Sequence, residues 1–283
     1  MKGIISGTYV MKRNKLAVIG VGNMANAIIS GALSSECGLD EVILYDVNKA
    51  QTTSLSALYP DKISLADSVD KAVEKADSVL ISVKPQNYPE VMAEISKAVG
   101  YTDKLYVSIG AGISTQTVKA FFDDNILVVR VLPNLPMLIG MGVSVICRNH
   151  EVDACDFNFV KKLFASAGGI LEIEEEEMNR IIGVTSSSPA YVFKFIDAIY
   201  NGAIEQGLSE DGLLGAICDM VIGSATMLKQ SKDSPALLAS RVASKGGTTE
   251  KALEMLEQYR FSEAIMDAMK ACTKRADELG AKK

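Results

Sequence analysis

Short, almost continuously apolar runs recur along the first half of the chain: LAVIG at 16–20, EVILY at 41–45, SVLISV at 78–83, LYVSI at 105–109 and ILVVRV at 126–131. Their length and β-branched content predict strands. Their lack of polar alternation predicts that both faces of each strand are covered. Between them, segments 23–33, 48–58, 68–76, 88–99 and 115–122 carry apolar residues at helical spacing. Strand–helix alternation of this kind builds βαβ units, so this half reads as a doubly wound, Rossmann-type, mostly parallel sheet.

The pattern changes after a last short strand at 170–173, and helical periodicity then runs through about 175–184, 189–206, 210–230, 235–243, 248–258 and 262–279. In the segment 189–207, Val192, Phe193, Phe195, Ile196, Ile199 and Ala203 occupy more than one helical face. A helix that is apolar nearly all round must be covered on several sides, and a second subunit can supply the cover. The fold class is therefore α/β, with the Rossmann-type sheet followed by an all-α dimerisation domain. We expect an N-terminal extension at 1–14, a dinucleotide-binding domain at 15–174 and a helical substrate and dimerisation domain at 175–283. The extension reads as dispensable, with Met11 as an alternative start.

Composition narrows the partners. Lys plus Arg number 29 against 35 Asp plus Glu, a net charge of −6, so there is no basic field for nucleic acid or an anionic membrane surface. No run approaches the roughly 18 apolar residues of a membrane span. Trp is absent and aromatics are 6%, which leaves an aliphatic core and disfavours a base-stacking platform. Cys37, Cys147, Cys155, Cys218 and Cys272 are odd in number and scattered, so they imply neither a disulfide framework nor a metal ribbon. They read as small buried residues of a cytoplasmic protein. No metal site is expected. The run Glu172, Glu174, Glu175, Glu176 and Glu177 reads as a solvated helix start, and His150, within RNHEVD, as an exposed turn residue.

Chemistry enters at the end of the first strand. Gly20-Val21-Gly22-Asn23-Met24-Ala25 follows Ile19 and opens a helix. In such a turn the first glycine permits the bend, the second clears space for a pyrophosphate, and the small Ala25 lets helix and strand approach. Helix N–H groups then face the anion. The second strand ends in Asp46, which can accept hydrogen bonds from ribose hydroxyls and would repel a 2′-phosphate. The next residue is Val47, without a cation, so NADH is favoured over NADPH, with Lys49 nearby as the counter-argument. Asp46 as a solvated turn residue is the alternative. Val83, Lys84 and Pro85 follow the SVLISV strand, and Ala111 and Gly112 follow LYVSI, at carboxyl strand ends where ligands of open α/β sheets bind. Each segment could equally be an ordinary βα loop.

Farther on, Ser244-Lys245-Gly246-Gly247-Thr248-Thr249 places two glycines before a helix, an arrangement that suits a carboxylate as well as it suits a plain capped helix start. Ser187, Ser188 and Pro189 read as another helix start, with Ser188 as N-cap.

These segments together carry a family resemblance. VIGVGNMANAI from Val18, SVKP at 82–85, SIGAG at 108–112, RVLPNLP at 130–136, SSPAY at 187–191 and SKGGTTEKALEMLE from Ser244 resemble pyrroline-5-carboxylate reductase over nearly the whole chain. The resemblance implies reduction of a cyclic imine to proline with NAD(P)H, in dimers or assemblies of dimers. It also implies that Ser244, Gly246, Gly247, Thr248 and Thr249 hold the substrate carboxylate, that Thr249 reaches the ring nitrogen, and that Ser187 lies near the pocket. The chain departs from the family pattern at Lys245 (usually Pro), Ser186 (usually Gly) and Leu135 (usually Thr). A reductase of a related cyclic imine and a non-catalytic nucleotide-binding regulator are the alternatives.

Overall fold

A computed structural model of the chain describes residues 2–5, 8–11, 13–35, 37–122 and 125–281. The elements are β1 (Lys2–Ile5), β2 (Thr8–Met11), β3 (Lys15–Ile19), α1 (Asn23–Leu33), β4 (Glu41–Tyr45), α2 (Lys49–Leu58), β5 (Ile63–Leu65), α3 (Val69–Lys75), β6 (Ser78–Ile81), α4 (Tyr88–Ile95), β7 (Leu105–Ser108), α5 (Thr115–Lys119) and β8 (Leu127–Leu132). They continue with β9 (Gly142–Arg148), α6 (Ala154–Ala165), β10 (Gly168–Glu172), α7 (Met178–Ile181), α8 (Ser188–Glu205), α9 (Leu213–Gln230), α10 (Pro235–Val242), α11 (Thr248–Gln258) and α12 (Phe261–Ala281).

Eight strands form one sheet in the order β5-β4-β3-β6-β7-β8-β9-β10. All neighbours are parallel except β8 and β9, which run antiparallel. Two apolar layers cover the sheet because alternate strand residues face opposite ways. Leu16 and Val18 join Ile28 and Ile29 of α1 and Phe164 of α6 on one side. Ala17 and Ile19 join Val73 of α3, Met92 of α4 and Val118 of α5 on the other. Each fully buried Leu, Ile or Val contributes about 1.5–3 kcal/mol, so this double layer is the main stabilising mass of the domain.

The chain divides into two compact units, Met1–Ser187 with Ala271–Lys283, and Ser188–Lys270. The sequence expectation of a single boundary near Glu174 differs from this division, because α7 packs on β9 and the end of α12 returns to the first unit. Met1, Ser6, Gly7 and Lys12 of the expected extension lie outside the described residues. Arg13 is no part of a dispensable tail. It is buried, its Nε and Nη2 each donate to Asp156 at 3.0 Å, and its Nη1 donates to the carbonyls of Asp77 at 2.7 Å and Asp103 at 3.0 Å.

Two other expectations change. Cys37 and Cys147 are buried, but Cys155 is exposed and Cys218 and Cys272 are only half-buried, since they sit on helices with a solvent-facing side. Within the acidic run, Glu175 turns inward: it pairs with the buried Arg130 at 2.6 Å and accepts from the Cys147 Sγ at 3.4 Å. Burial, followed by the Glu175 charge, pushes the Cys147 thiol well above its usual range. His150 is exposed, as expected of a turn residue.

Candidate functional site

The glycine turn between β3 and α1 has the geometry its sequence suggested. Gly20 has φ +91°, its N–H donates to the Tyr45 carbonyl at 2.9 Å, and a Cβ added there would lie 2.8 Å from the Ser82 carbonyl oxygen. Only glycine fits. A Cβ on Gly22 would meet nothing within 4 Å, so the space above the α1 N-terminus is open to a ligand. Gly22 is also the N-cap of α1 and offers no side-chain bond, which leaves first-turn N–H groups available to an anion. Ala25 is fully buried where α1 rests on the sheet, while Asn23 begins the helix.

A cleft of about 400 Å³ opens beside this turn, lined by Ile19, Gly20, Gly22, Asp46, Val83 and Lys84 among others. Asp46 already has work within the protein: its Oδ2 accepts from the Val21 N–H at 2.6 Å and its Oδ1 from the Asn48 N–H at 2.7 Å. The carboxylate thus latches the glycine turn while facing the cleft. Val47 beside it is 87% exposed, and the Lys49 Nζ lies 4.6 Å from the centre of the Tyr45 ring.

Ser82, Val83 and Lys84 also line a smaller cavity of about 250 Å³, together with Met24, Ala111 and Ser186. The glycine turn and the β7 loop therefore border two cavities that share the β6-loop residues Ser82, Val83 and Lys84. Pro85 instead faces a separate cleft with Phe121 and Leu279. Gly112, expected at the cofactor, is buried against α12: a Cβ there would lie 2.6 Å from the Ala276 carbonyl oxygen. Its φ of +77° serves the close passage of that helix.

Two positioning side chains escaped the sequence reading. Tyr88, at the start of α4, accepts from the Gly110 N–H at 3.0 Å and lies 2.9 Å from the Ser108 Oγ, so its hydroxyl props the β7 loop. Asn134 accepts from the Val143 N–H at 2.8 Å and donates to the Thr185 carbonyl at 3.0 Å. It anchors a one-turn π-helix at Ile182–Ser186, a distortion common at functional sites. Position in RVLPNLP was the only available signal for Asn134. Ser187, directly after that turn, accepts a hydrogen bond from the Cys272 Sγ at 3.2 Å. α8 begins at Ser188, so Ser188 is the first helical residue and Ser187 occupies the expected N-cap position.

The second unit carries the 244–249 loop. Gly246 has φ +74°, and its N–H donates to the Glu250 Oε2 at 2.7 Å. A Cβ on Gly247 would lie 2.5 Å from the Ser244 Oγ, so the loop folds too tightly there for a side chain. Gly247 is the N-cap of α11 and no side chain caps the helix. The alternative of a plain helix start capped by a side chain is therefore not what forms here. Thr248 is exposed, Thr249 and Glu250 are half-buried, and no side chain caps the first-turn N–H groups. Among the described residues, no group of three His, Cys, Asp or Glu side chains is placed to hold a metal ion, and no helix is long and apolar enough to cross a membrane.

A Rossmann-type sheet with an open glycine turn, joined to a helical unit bearing an uncapped glycine loop, defines a dinucleotide-dependent oxidoreductase. Residues 175–279 match the pyrroline-5-carboxylate reductase dimerisation model, and residues 15–112 match the model for coenzyme F420-dependent NADP oxidoreductase. The pyrroline-5-carboxylate reductases of Haemophilus influenzae and Synechocystis are 32% and 31% identical to this chain, each over 95% of it and over 98% and 99% of their own lengths. The crystal structure of the Plasmodium falciparum pyrroline carboxylate reductase with NADP bound superposes with a TM-score of 0.86 at 27% identity, covering 96% of this chain and all of that one. The chain belongs to the pyrroline-5-carboxylate reductase family.

Proposed function

We infer that this protein reduces 1-pyrroline-5-carboxylate to L-proline with NAD(P)H, and that it prefers NADH. The observation that supports the reaction is that one chain carries two helix starts without a side-chain cap, the α1 turn at 20–25, suited to a pyrophosphate, and the α11 loop at 244–249, suited to a carboxylate. A reduced nicotinamide, when bound, supplies the hydride that adds to the imine carbon. The residues' task is to hold the two carbons in line and exclude water. Gly246 and Gly247 let the loop close on the substrate carboxylate, Thr248 and the first-turn N–H groups bind it, and the Thr249 hydroxyl stands at the ring nitrogen, which must be or become protonated. The scattered, odd-numbered cysteines support a cytoplasmic setting.

Asp46 supports the NADH preference. A 2′-phosphate brought to its carboxylate meets like charge, and neither Val47 nor Asn48 offers a compensating cation. Purified protein should oxidise reduced nicotinamide only when pyrroline-5-carboxylate is added, with kcat/KM for NADH exceeding that for NADPH by about tenfold or more, equivalent to about 1.4 kcal/mol. No substrate-dependent loss of nicotinamide absorbance with either cofactor would refute the reductase reading. A preference for NADPH would refute only the role given to Asp46.

A further inference from the structure

Asn134 is buried, and its two partners fix the direction of its amide. The Val143 N–H can only donate and the Thr185 carbonyl can only accept, so Oδ1 faces the first at 2.8 Å and Nδ2 the second at 3.0 Å. The bond to Thr185 answers a need written in the sequence. In a regular α-helix the carbonyl of residue 185 would take the N–H of residue 189, which is Pro189 and has none. A part-buried carbonyl without a donor is unfavourable, and Asn134 brings the donor from another segment.

The segment it fastens is the π-turn, in which the Ser187 N–H reaches back five residues to the Ile182 carbonyl at 2.9 Å. That turn and the chain just before Asn134 form part of one wall system: Leu132, Pro133 and Ile182 all line the cavity of about 250 Å³. Its other lining residues include Ser82 to Lys84, Ile109 and Ala111, so the cavity lies at the carboxyl ends of β6, β7 and β8. In the sheet these strands follow β4 and β3, whose ends carry Asp46 and the glycine turn. A dinucleotide crossing the strand ends with its adenosine at Asp46 and its pyrophosphate at the glycine turn extends its second ring toward this cavity.

We propose that Asn134 is a positioning residue for the reaction: acting through the Thr185 carbonyl, it sets the wall of the space in which nicotinamide and imine are aligned. The inference rests on the reductase reading given above. Alignment is where such a residue has leverage, because a displacement of about 1 Å at the reacting centre lowers a rate by about a hundredfold. The adenosine half, two strands away, is outside its reach.

The test compares the full-length wild type with Asn134→Asp and Asn134→Ala. At about pH 8, kcat for imine reduction should fall at least about tenfold in both variants. ADP-ribose, which lacks the nicotinamide, should bind both within about twofold of wild type by titration calorimetry. The pH profile separates positioning from bulk. In Asn134→Asp the introduced carboxylate keeps an acceptor for Val143 but faces the Thr185 carbonyl; burial raises its pKa, and once protonated it donates as the amide did. Between about pH 8 and about pH 6 the ratio of Asn134→Asp to wild-type kcat should therefore recover at least about threefold, while the ratio for Asn134→Ala stays flat. Asn134→Ala adds no charge and carries the test if the carboxylate prevents folding at the higher pH. Loss of ADP-ribose binding in step with kcat would mark a general loss of fold and overturn the proposal. So would a flat pH ratio for a folded Asn134→Asp, or turnover within about twofold of wild type in Asn134→Ala. A wild type without imine-dependent oxidation would sink the reductase reading as well, whereas the outcomes above sink this proposal alone.

Discussion

Tyr88 is the side chain on which the ends of β6 and β7 depend. Its hydroxyl donates toward the Ile81 carbonyl at 3.3 Å while accepting from Gly110 N–H, and a Cβ on Gly110 would lie 2.6 Å from it. The β7 loop therefore carries a glycine because a phenol occupies the space. Tyr88→Phe should destabilise the protein by about 1–3 kcal/mol, since the buried Gly110 N–H loses its acceptor. The phenol also sets a pH signature. Burial pushes its pKa up to about 12. A raised folded-state pKa means that its contribution is complete below the unfolded value near 10 and is lost as pH climbs toward the folded one. Tyr106 is raised by burial too, but it is present in both proteins. Denaturant unfolding at about pH 8 and about pH 11 should show the gap between wild type and Tyr88→Phe narrowing at the higher pH. A constant gap would mean that Tyr88 does not titrate in this way.

At the level of elements, the loop after β7 and the end of α12 touch backbone to backbone. Gly280 mirrors Gly112: a Cβ on it would lie 2.5 Å from the Gly112 carbonyl oxygen. Gly112→Ala combines a left-handed φ with a clash against a main-chain atom that cannot swing aside. Gly100 is the control, with φ +71° and only an Asp103 side-chain atom at 3.9 Å. Gly100→Ala should cost about 1–2 kcal/mol for the backbone alone. Gly112→Ala should cost at least about 1 kcal/mol more, the usual penalty of overpacking, and should speed amide exchange across 271–281. Equal costs would show that the helix is not held there. This pair also marks the limit of legibility in the sequence. A glycine after a strand announces a turn, but the close approach that excludes a side chain at Gly112 comes from a helix far along the chain, which local spacing does not show. The parallel strands β3, β4, β6, β7 and β8 were legible because burial on both faces keeps them apolar, whereas the three-residue edge strand β5 was not, and the range of α1 matched at both ends. β9 and α6 were not legible. β9 follows a short 3₁₀ turn at Leu135–Ile139 and reverses direction, so the strand–helix rhythm breaks where it begins. α6 starts in a polar stretch and buries Asp156 to receive Arg13, which hides its inward face. Around the candidate site the glycine turn was readable from local spacing, whereas the roles of Tyr88 and Asn134 depend on contacts that local spacing does not encode.

For the whole molecule, the second unit raises a question of burial that one chain does not answer. From 188 to 270, where every residue is described, Ile217 is the one apolar residue that is buried. No residue of the 18-residue α8 is buried, and Phe193 is 55% exposed. Helices with so little buried apolar surface do not offset the entropy of ordering them, so their stability must come from another copy of the same face. Assembly through the segment matched by the dimerisation model supplies it. Folding and association are then one equilibrium, and the melting temperature should rise with protein concentration across a range where a folded monomer would show no change. Phe193→Glu places a charge in that covered face. In sedimentation equilibrium and circular dichroism, the variant should shift toward the monomer mass and lose helix signal together, because the helices have no other cover. Monomers that kept full helicity and a concentration-independent melting point would show instead that the second unit is stable alone, and that its apolar faces serve something other than its own folding.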